Sequence, residues 1–281
     1  MSATILNGKQ VADEILNGIC YNSKIKKDLA IISIGSDPAS EVYVRNKIRA
    51  CAKCNITSRH ICLPPTVDAT EVVGVILKLN QDSDVGGVIL QMPIPEHLNA
   101  MYLINYIDPE KDVDGLTIAN RGFLYSGMPG NFPCTALGVM KLIDYYGIET
   151  KGKHAVIIGR SELVGRPLSV WLSQRKRNAT VTLCNSYTQN LKEICLQADI
   201  LISAVGSPKL VTADMVKPGA VVIDVGINRD ENNKLCGDVD FENVKEIASA
   251  ITPVPGGVGP MTVAMLINNL PYDNCNKEGS R

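Results

Sequence analysis

Tyr43 and Lys47 stand four positions apart in a stretch whose spacing predicts a helix from Ser40, so a phenol and an ammonium share one face, with Cys51 a turn further on. Such a pair can work as acid, base and hydrogen-bond donor in one cleft, although the same spacing also suits a solvated lysine beside a half-buried tyrosine. Gln91 is expected at the carboxyl end of a strand running from Val85, where open α/β sheets bind ligands, and Pro93 and Pro95 fix its exit direction. Lys111-Asp112-Val113-Asp114-Gly115 puts two carboxylates on one polar turn, where capping is the plain alternative to binding. Ala155 to Pro167 reads as strand, glycine turn and helix. Its spacing, Gly159-x-Ser161-x-x-x-Gly165, departs from G-x-G-x-x-G, yet free N–H groups at a helix start attract phosphate.

Other reactive residues are less organised. Cys51-x-x-Cys54 is the one close cysteine pair, falls in an expected helix and has no second CxxC or His pair, so no metal site is expected. His60, His97 and His154 stand apart, without an acidic or cysteine partner at useful spacing. A Y-x-x-x-K pair is also used by short-chain dehydrogenases, but there it follows the dinucleotide turn, whereas here it precedes it.

These residues need a scaffold, and the chain alternates strand and helix patterns. Asn7 is a candidate N-cap for a helix to about Lys27. Strands are expected at Leu29 to Ile34, Ile56 to Leu63 and Val85 to Gln91, and helices from Ser40, over Ala69 to Leu79 and over Leu98 to Ile107. A second series follows: helix Thr135 to Tyr146, strand Ala155 to Ile158, helix Val164 to Arg175, strand Ala179 to Cys184, helix Leu191 to Leu196, and strands Ile200 to Val205 and Ala220 to Val225. This pattern implies an α/β protein of two domains with parallel sheets, the second a doubly wound, dinucleotide-type half. The Pro/Gly-rich run Ile251 to Pro260 is expected to be irregular. A last helix, Met261 to Leu270, is expected to return to the first domain, before a polar, disordered tail. The expected domains are 1–118 plus 262–281 and 119–261.

Composition narrows the class. The chain has 281 residues, 45% hydrophobic and 20% charged, with a formal net charge of −1. That balance leaves no electrostatic footprint for nucleic acid or an anionic membrane. No apolar run is long enough to span a bilayer, and no signal pattern opens the chain. Nine cysteines without repeated spacing suit free thiols in a reducing, cytoplasmic compartment.

Six motifs, in order, resemble the methylenetetrahydrofolate dehydrogenase/cyclohydrolase family: Asp37-Pro38-Ala39-Ser40-x-x-Tyr43-x-x-x-Lys47, Gln91-x-Pro93-x-Pro95, Lys111 to Gly115, Pro133-Cys134-Thr135, Gly159-Arg160-Ser161-x-x-Val164-Gly165-x-Pro167, and Thr252 to Thr262. The resemblance covers nearly the whole chain and implies NADP-dependent oxidation of 5,10-methylenetetrahydrofolate, then hydrolysis of the methenyl product to 10-formyltetrahydrofolate. By the same resemblance Lys47 is the acid/base of the hydrolysis, Gln91 governs its protonation, Tyr43 stacks on the aminobenzoyl ring and Asp114 accepts from the pterin. Pro255, Gly256 and Gly257 would cover folate and nicotinamide. Thr135, Gly159, Arg160, Ser161, Gly165, Arg166, Ser186 and Ile227 would contact the cofactor. A homodimer serving one-carbon metabolism and purine biosynthesis is implied, with tetrahydrofolate derivatives as its partners. The sequence departs from the family at Met92 and Ile94, where leucines are usual, and at Asn185, where a histidine is common.

One preference has its own physical argument. The residue ending the second strand of a dinucleotide fold meets the adenosine ribose, and an acid there repels a 2′-phosphate. Here that place is Cys184-Asn185-Ser186, without an acid, while Arg160 and Arg166 offer cations and Ser186 a hydroxyl, so NADP is favoured. The alternatives are a dehydrogenase without the hydrolytic activity, which retention of Lys47 and Gln91 opposes, and a folate- or dinucleotide-binding module without turnover.

Overall fold

A computed structural model describes residues 3–274. The chain opens with β1 (Thr4–Ile5) and α1 (Gly8–Asn22), followed by β2 (Ser23–Lys26), β3 (Asp28–Ile34), α2 (Pro38–Lys53), β4 (Ser58–Leu63), α3 (Ala69–Gln81), β5 (Val85–Leu90), α4 (Ala100–Ile104) and α5 (Ile118–Ser126). Then come α6 (Cys134–Tyr145), β6 (His154–Ile158), α7 (Gly165–Ser173), β7 (Thr180–Cys184), α8 (Leu191–Cys195), β8 (Ile200–Ser203), β9 (Val221–Asp224), β10 (Asn228–Arg229), β11 (Leu235–Cys236), α9 (Phe241–Val244), β12 (Ala250–Ile251), α10 (Val258–Asn269) and β13 (Tyr272–Asn274). Two compact units result, Asp13–Phe132 with Val263–Arg281, and Met1–Ala12 with Pro133–Thr262. The boundaries expected from sequence, near 118 and 262, put residues 1–12 in the other unit. Their β1 pairs with β12, which draws them into the second sheet.

The first unit is built on a parallel sheet in the order β4-β3-β5. Alternation along the strands puts Ala30, Ile32, Val88 and Leu90 into a core with Val72 and Ile76 of α3 and Leu103 of α4. Leu29, Ile31 and Ile89, pointing to the opposite face, are buried as well. Both faces are therefore covered, which is why β5 is apolar throughout. Helix starts follow local chemistry: Asp37 accepts from Ser40 N at 2.7 Å, Asp68 from Glu71 N at 2.8 Å and Asn99 from Tyr102 N at 3.0 Å.

The second unit carries six parallel strands in the order β1-β12-β9-β8-β6-β7. From β6 the chain steps to β7 on one side and then to β8 on the other, so the carboxyl ends of β6 and β8 flank a topological switch point. Val156, Ile158, Leu201, Val222 and Ile251 fill one core face.

Several expectations are corrected. The first helix ends at Asn22 instead of Lys27, because β2 follows and pairs with β13, and Tyr272–Asn274 is thereby a strand where a polar tail was expected. Residues 275–281 of that tail lie outside the described residues. The helix expected over 98–107 contracts to α4, and α5, unforeseen, starts at its Thr117 cap. The segment 251–260 is not wholly irregular: Ile251 ends a strand, and α10 begins at Val258 with Pro260 in its first turn, where a missing N–H costs no bond.

Candidate functional site

In the first unit α2, β5 and the turn after α4 bring Lys47, Gln91 and Asp114 together. Lys47 Nζ donates to Gln91 Oε1 at 3.1 Å and lies 4.0 Å from Asp114 Oδ2. The lysine side chain is 12% exposed and that of Asp114 25%, so the pair is only partly screened. Gln91 is buried, and its Nε2 donates to Met92 O at 2.8 Å, which turns its carbonyl oxygen towards the ammonium. Met92 O also accepts from Ser40 Oγ at 3.1 Å, which ties the strand exit to the start of α2. The Ser40 backbone N–H in turn donates to Asp37, so the Asp37-to-Ser40 part of the motif is a brace between helix and strand exit. Tyr43, one turn before Lys47, is 44% exposed and leaves a ring face available. One turn beyond Lys47, burial pushes the Cys51 thiol up to about 12. A thiol held protonated is a poor nucleophile, so Cys51 is not the reactive member of this helix face.

The turn Lys111 to Gly115 divides its labour. Lys111 Nζ donates to the carbonyls of Leu79, Asn80 and Asp82 at 2.9, 2.7 and 2.7 Å, closing the end of α3, and burial lowers its pKa. Asp112 is buried and accepts from Thr117 N at 2.7 Å and Asn120 Nδ2 at 2.9 Å. Asp114 alone of the two acids is directed to Lys47. Gly115, at φ +68, sits so close to Phe132 that a Cβ would meet its carbonyl carbon at 2.3 Å. Sequence spacing gave no means of telling the inward acid from the outward one.

In the second unit the glycine turn lies at the carboxyl end of β6. A Cβ on Gly165 would stand 1.8 Å from Gly159 O, and one on Gly159 2.3 Å from Ala204 O, so neither position admits a side chain. Ser161 Oγ accepts from Val164 N at 3.2 Å and shapes the turn into α7. Arg160, Ser161 and Ser186 are exposed there. Arg166 pairs with Glu162 one turn away, which leaves Arg160 as the better-placed cation of the two. Asn185 Oδ1 accepts from Tyr187 N at 3.0 Å, so this residue shapes the loop after β7. Exposed arginine and hydroxyl donors, a helix start and no acid after β7 fit a dinucleotide phosphate. Thr135 Oγ1 accepts from Thr262 at 3.1 Å, and Ile227 is 47% exposed beside Gly226. Gly256, at φ +106, is held by Lys9 N donating to its carbonyl at 2.9 Å, and Gly257 by close approach to Pro253 O, in the loop that also carries Pro255.

Asp238 was missed. Its carboxylate accepts from the N–H groups of Val205, Gly206 and Ser207 at 2.8, 3.3 and 2.9 Å, pinning the loop after β8 at the switch point. Its neighbour Asp224 accepts from Gly226, Asp238 and Val239 N–H groups, and burial lifts its pKa to about 7 against them. No local pattern marks Asp238, since the N–H groups it holds in that loop lie 31 to 33 positions away. A cavity of about 470 Å³, lined among others by Tyr146, Lys153 and Lys217, opens at the amino ends of β6, β8 and β9, away from the ligand side of such sheets.

Comparison with known proteins bears on both units. Residues 6–114 match the family described as tetrahydrofolate dehydrogenase/cyclohydrolase, catalytic domain, and residues 133–277 match its NAD(P)-binding domain. The bifunctional protein FolD of Polaromonas sp. is 46% identical over 275 residues, 96% of this chain and 97% of its own. The crystal structure of the bifunctional FolD of Campylobacter jejuni superposes with a TM-score of 0.93 at 43% identity, covering 95% of this chain and 97% of that one. The FolD of Trypanosoma brucei, solved with NADP cofactor and inhibitor, gives 0.89 at 34%, covering 96% of each chain.

Proposed function

The chain belongs to the tetrahydrofolate dehydrogenase/cyclohydrolase family, and on that premise we propose how its residues divide the two reactions. It is a bifunctional enzyme that oxidises 5,10-methylenetetrahydrofolate with NADP and hydrolyses the methenyl product to 10-formyltetrahydrofolate. The observation that carries the assignment of the hydrolysis is the contact of Lys47 with Gln91 beside Asp114.

In the hydrolysis, water adds to the methenyl carbon, the bond to N5 breaks, and one proton is released overall. Lys47, buried against a neutral acceptor, exchanges the water proton with the substrate nitrogen, a transfer typically worth about 10²–10⁴-fold. Gln91 acts through Lys47 as a positioning residue, its own amide anchored on Met92 O. Asp114, offering only acceptors, takes the pterin N–H donors, and Tyr43 lies flat against the aminobenzoyl ring. NADP, when bound, accepts the hydride. The protein needs no nucleophile for that step and supplies orientation. Gly159, Ser161, Gly165 and the start of α7 take the pyrophosphate, Arg160 and Ser186 take the 2′-phosphate, and Thr135, Arg166 and Ile227 complete the contacts. Pro255, Gly256 and Gly257 bring backbone close to the ligands.

The enzyme is further read as a cytoplasmic homodimer supplying one-carbon units for purine synthesis. Eight cysteines held as thiols among the described residues suit a reducing compartment, and among those residues no helix is long and apolar enough to cross a membrane. One absorbance assay, following methenyltetrahydrofolate with each nicotinamide cofactor and then its decay, tests the whole assignment. Turnover with NADP followed by hydrolysis is expected, and a chain that performs neither overturns it.

A further inference from the structure

Three side chains outside these sites meet where the edge strand β4 pairs with β3. His60 and Cys62 are two residues apart on β4 and share a face, and Ser33 of β3 is the cross-strand partner of Cys62. His60 Nε2 lies 2.8 Å from Ser33 Oγ and 3.4 Å from Cys62 Sγ, and Ser33 Oγ lies 3.6 Å from the same sulfur. The sequence expectation that no histidine has a cysteine partner is thus overturned, because strand period brings i and i+2 together. Cys62 and His60 are both exposed, whereas Cys51, Cys54, Cys134, Cys184 and Cys195 are buried.

The place of the cluster gives it consequence. Ile32 pairs with Leu90, and the next residue, Gln91, donates its N–H to Ile32 O at 2.8 Å, so Cys62, Ser33 and Gln91 form one row across three strands. Two strand spacings separate the ends of that row, about 10 Å. Gln91 holds Lys47. A tripeptide-sized group on Cys62 is long enough to reach the face of α2 that carries Tyr43 and Lys47.

We propose that Cys62 is a site of reversible oxidation, in which His60 takes the thiol proton, a hydroperoxide oxidises the sulfur, and a small thiol such as glutathione caps it and slows hydrolysis at Lys47. With the proton on His60, Ser33 donates to the thiolate. The thiolate attacks one peroxide oxygen. The S–O bond forms as the O–O bond breaks, sulfur gives up two electrons, and the proton from His60 leaves with the departing oxygen as water or alcohol. A second thiolate then attacks the sulfenic sulfur. The S–S bond forms, and hydroxide departs with a proton as water.

The effect on hydrolysis rests on the assignment of Lys47, whereas the reactivity of Cys62 does not, and the test separates them. Reduced full-length protein is exposed to hydrogen peroxide with dimedone, and each cysteine is followed by peptide mass mapping. Cys62 is expected to label on the order of tenfold faster than the part-exposed Cys20 and Cys236, and His60→Gln to remove that advantage. Peroxide with glutathione is expected to lower methenyl hydrolysis severalfold in the wild type, reversibly with dithiothreitol, and to leave Cys62→Ser at its untreated rate. Labelling of Cys62 no faster than Cys236, or unchanged in a folded His60→Gln variant, overturns the site. Equal inhibition of wild type and Cys62→Ser overturns the link to hydrolysis. Failure of the Lys47 assignment is read separately, as normal hydrolysis by an untreated Lys47→Met variant.

Discussion

Gln91 turns its carbonyl oxygen to Lys47 at 3.1 Å because its amide nitrogen is already committed to Met92 O at 2.8 Å. An ammonium has no acceptor to offer, so the reverse orientation of the amide would set donor against donor in a site that is mostly buried and leave Lys47 only the Asp114 carboxylate. Lys47→Met is expected to remove methenyltetrahydrofolate hydrolysis by about 10²–10⁴-fold with the fold intact. Circular dichroism checks the fold, and loss of methenyl absorbance reads the rate. A folded variant hydrolysing at the wild-type rate would sink the assignment.

Gln91→Ala should be milder than Lys47→Met, since the lysine remains but loses the acceptor that aims it. A drop in kcat with little change in folate KM is the expected signature of positioning. A rise in KM alone would make Gln91 a binding residue.

Asp112 and Asp114 should separate cleanly. Asp114→Ala is expected to weaken folate binding by about 1–3 kcal/mol, the cost of an unpaired pterin donor, and to leave NADP binding unchanged. Asp112→Ala is expected to lower stability, because it orphans Thr117 N in the interior and leaves Asn120 Nδ2 with only its bond to Pro109 O. Calorimetric titration with each ligand and denaturant unfolding decide the matter, and equal loss of both ligands in Asp114→Ala would refute the division.

Arg160→Ala should reduce kcat/KM for NADP far more than for NAD, since a 2′-phosphate is what distinguishes the two. NAD preferred by the wild type, or an unchanged NADP preference in the folded variant, would place the phosphate elsewhere.

Asp224 supplies a prediction about pH. Burial raises its carboxyl from an ordinary 3.8 to about 7, so between those values the folded state binds the proton that the unfolded state has released. Its contribution therefore favours the folded state most below about 4 and fades as pH rises to about 7, by up to a few kcal/mol. Asp199, held low by Lys217 and by the His154 N–H, acts in the opposite sense and below that window. The denaturation midpoint of the wild type, measured against that of Asp224→Asn from pH 4 to 7, should lose a downward slope in the variant. Parallel curves would show that Asp224 does not titrate there.

Much of this protein is written locally. The helix through Tyr43 and Lys47, the strand ending at Gln91 and the βα turn at Gly159 follow from side-chain period, a single Asp or Asn cap and the glycines no other residue can replace, all matters of neighbours within a few positions. The family motifs carried the chemistry with them, because each is a short run. What only tertiary structure decided are relations across the chain. Lys47 and Asp114 are 67 positions apart yet 4.0 Å from contact atom to contact atom, and which of two acids in one turn faces the lysine depends on the buried donors that claim the other. Asp238 serves a loop more than thirty residues away, β2 exists because β13 returns to pair with it, and His60 meets Cys62 and Ser33 because two strands fall into one register. Such pairings depend on how the packed sheets bring remote segments together, and burial then decides which polar group is satisfied within the fold and which is left for a ligand.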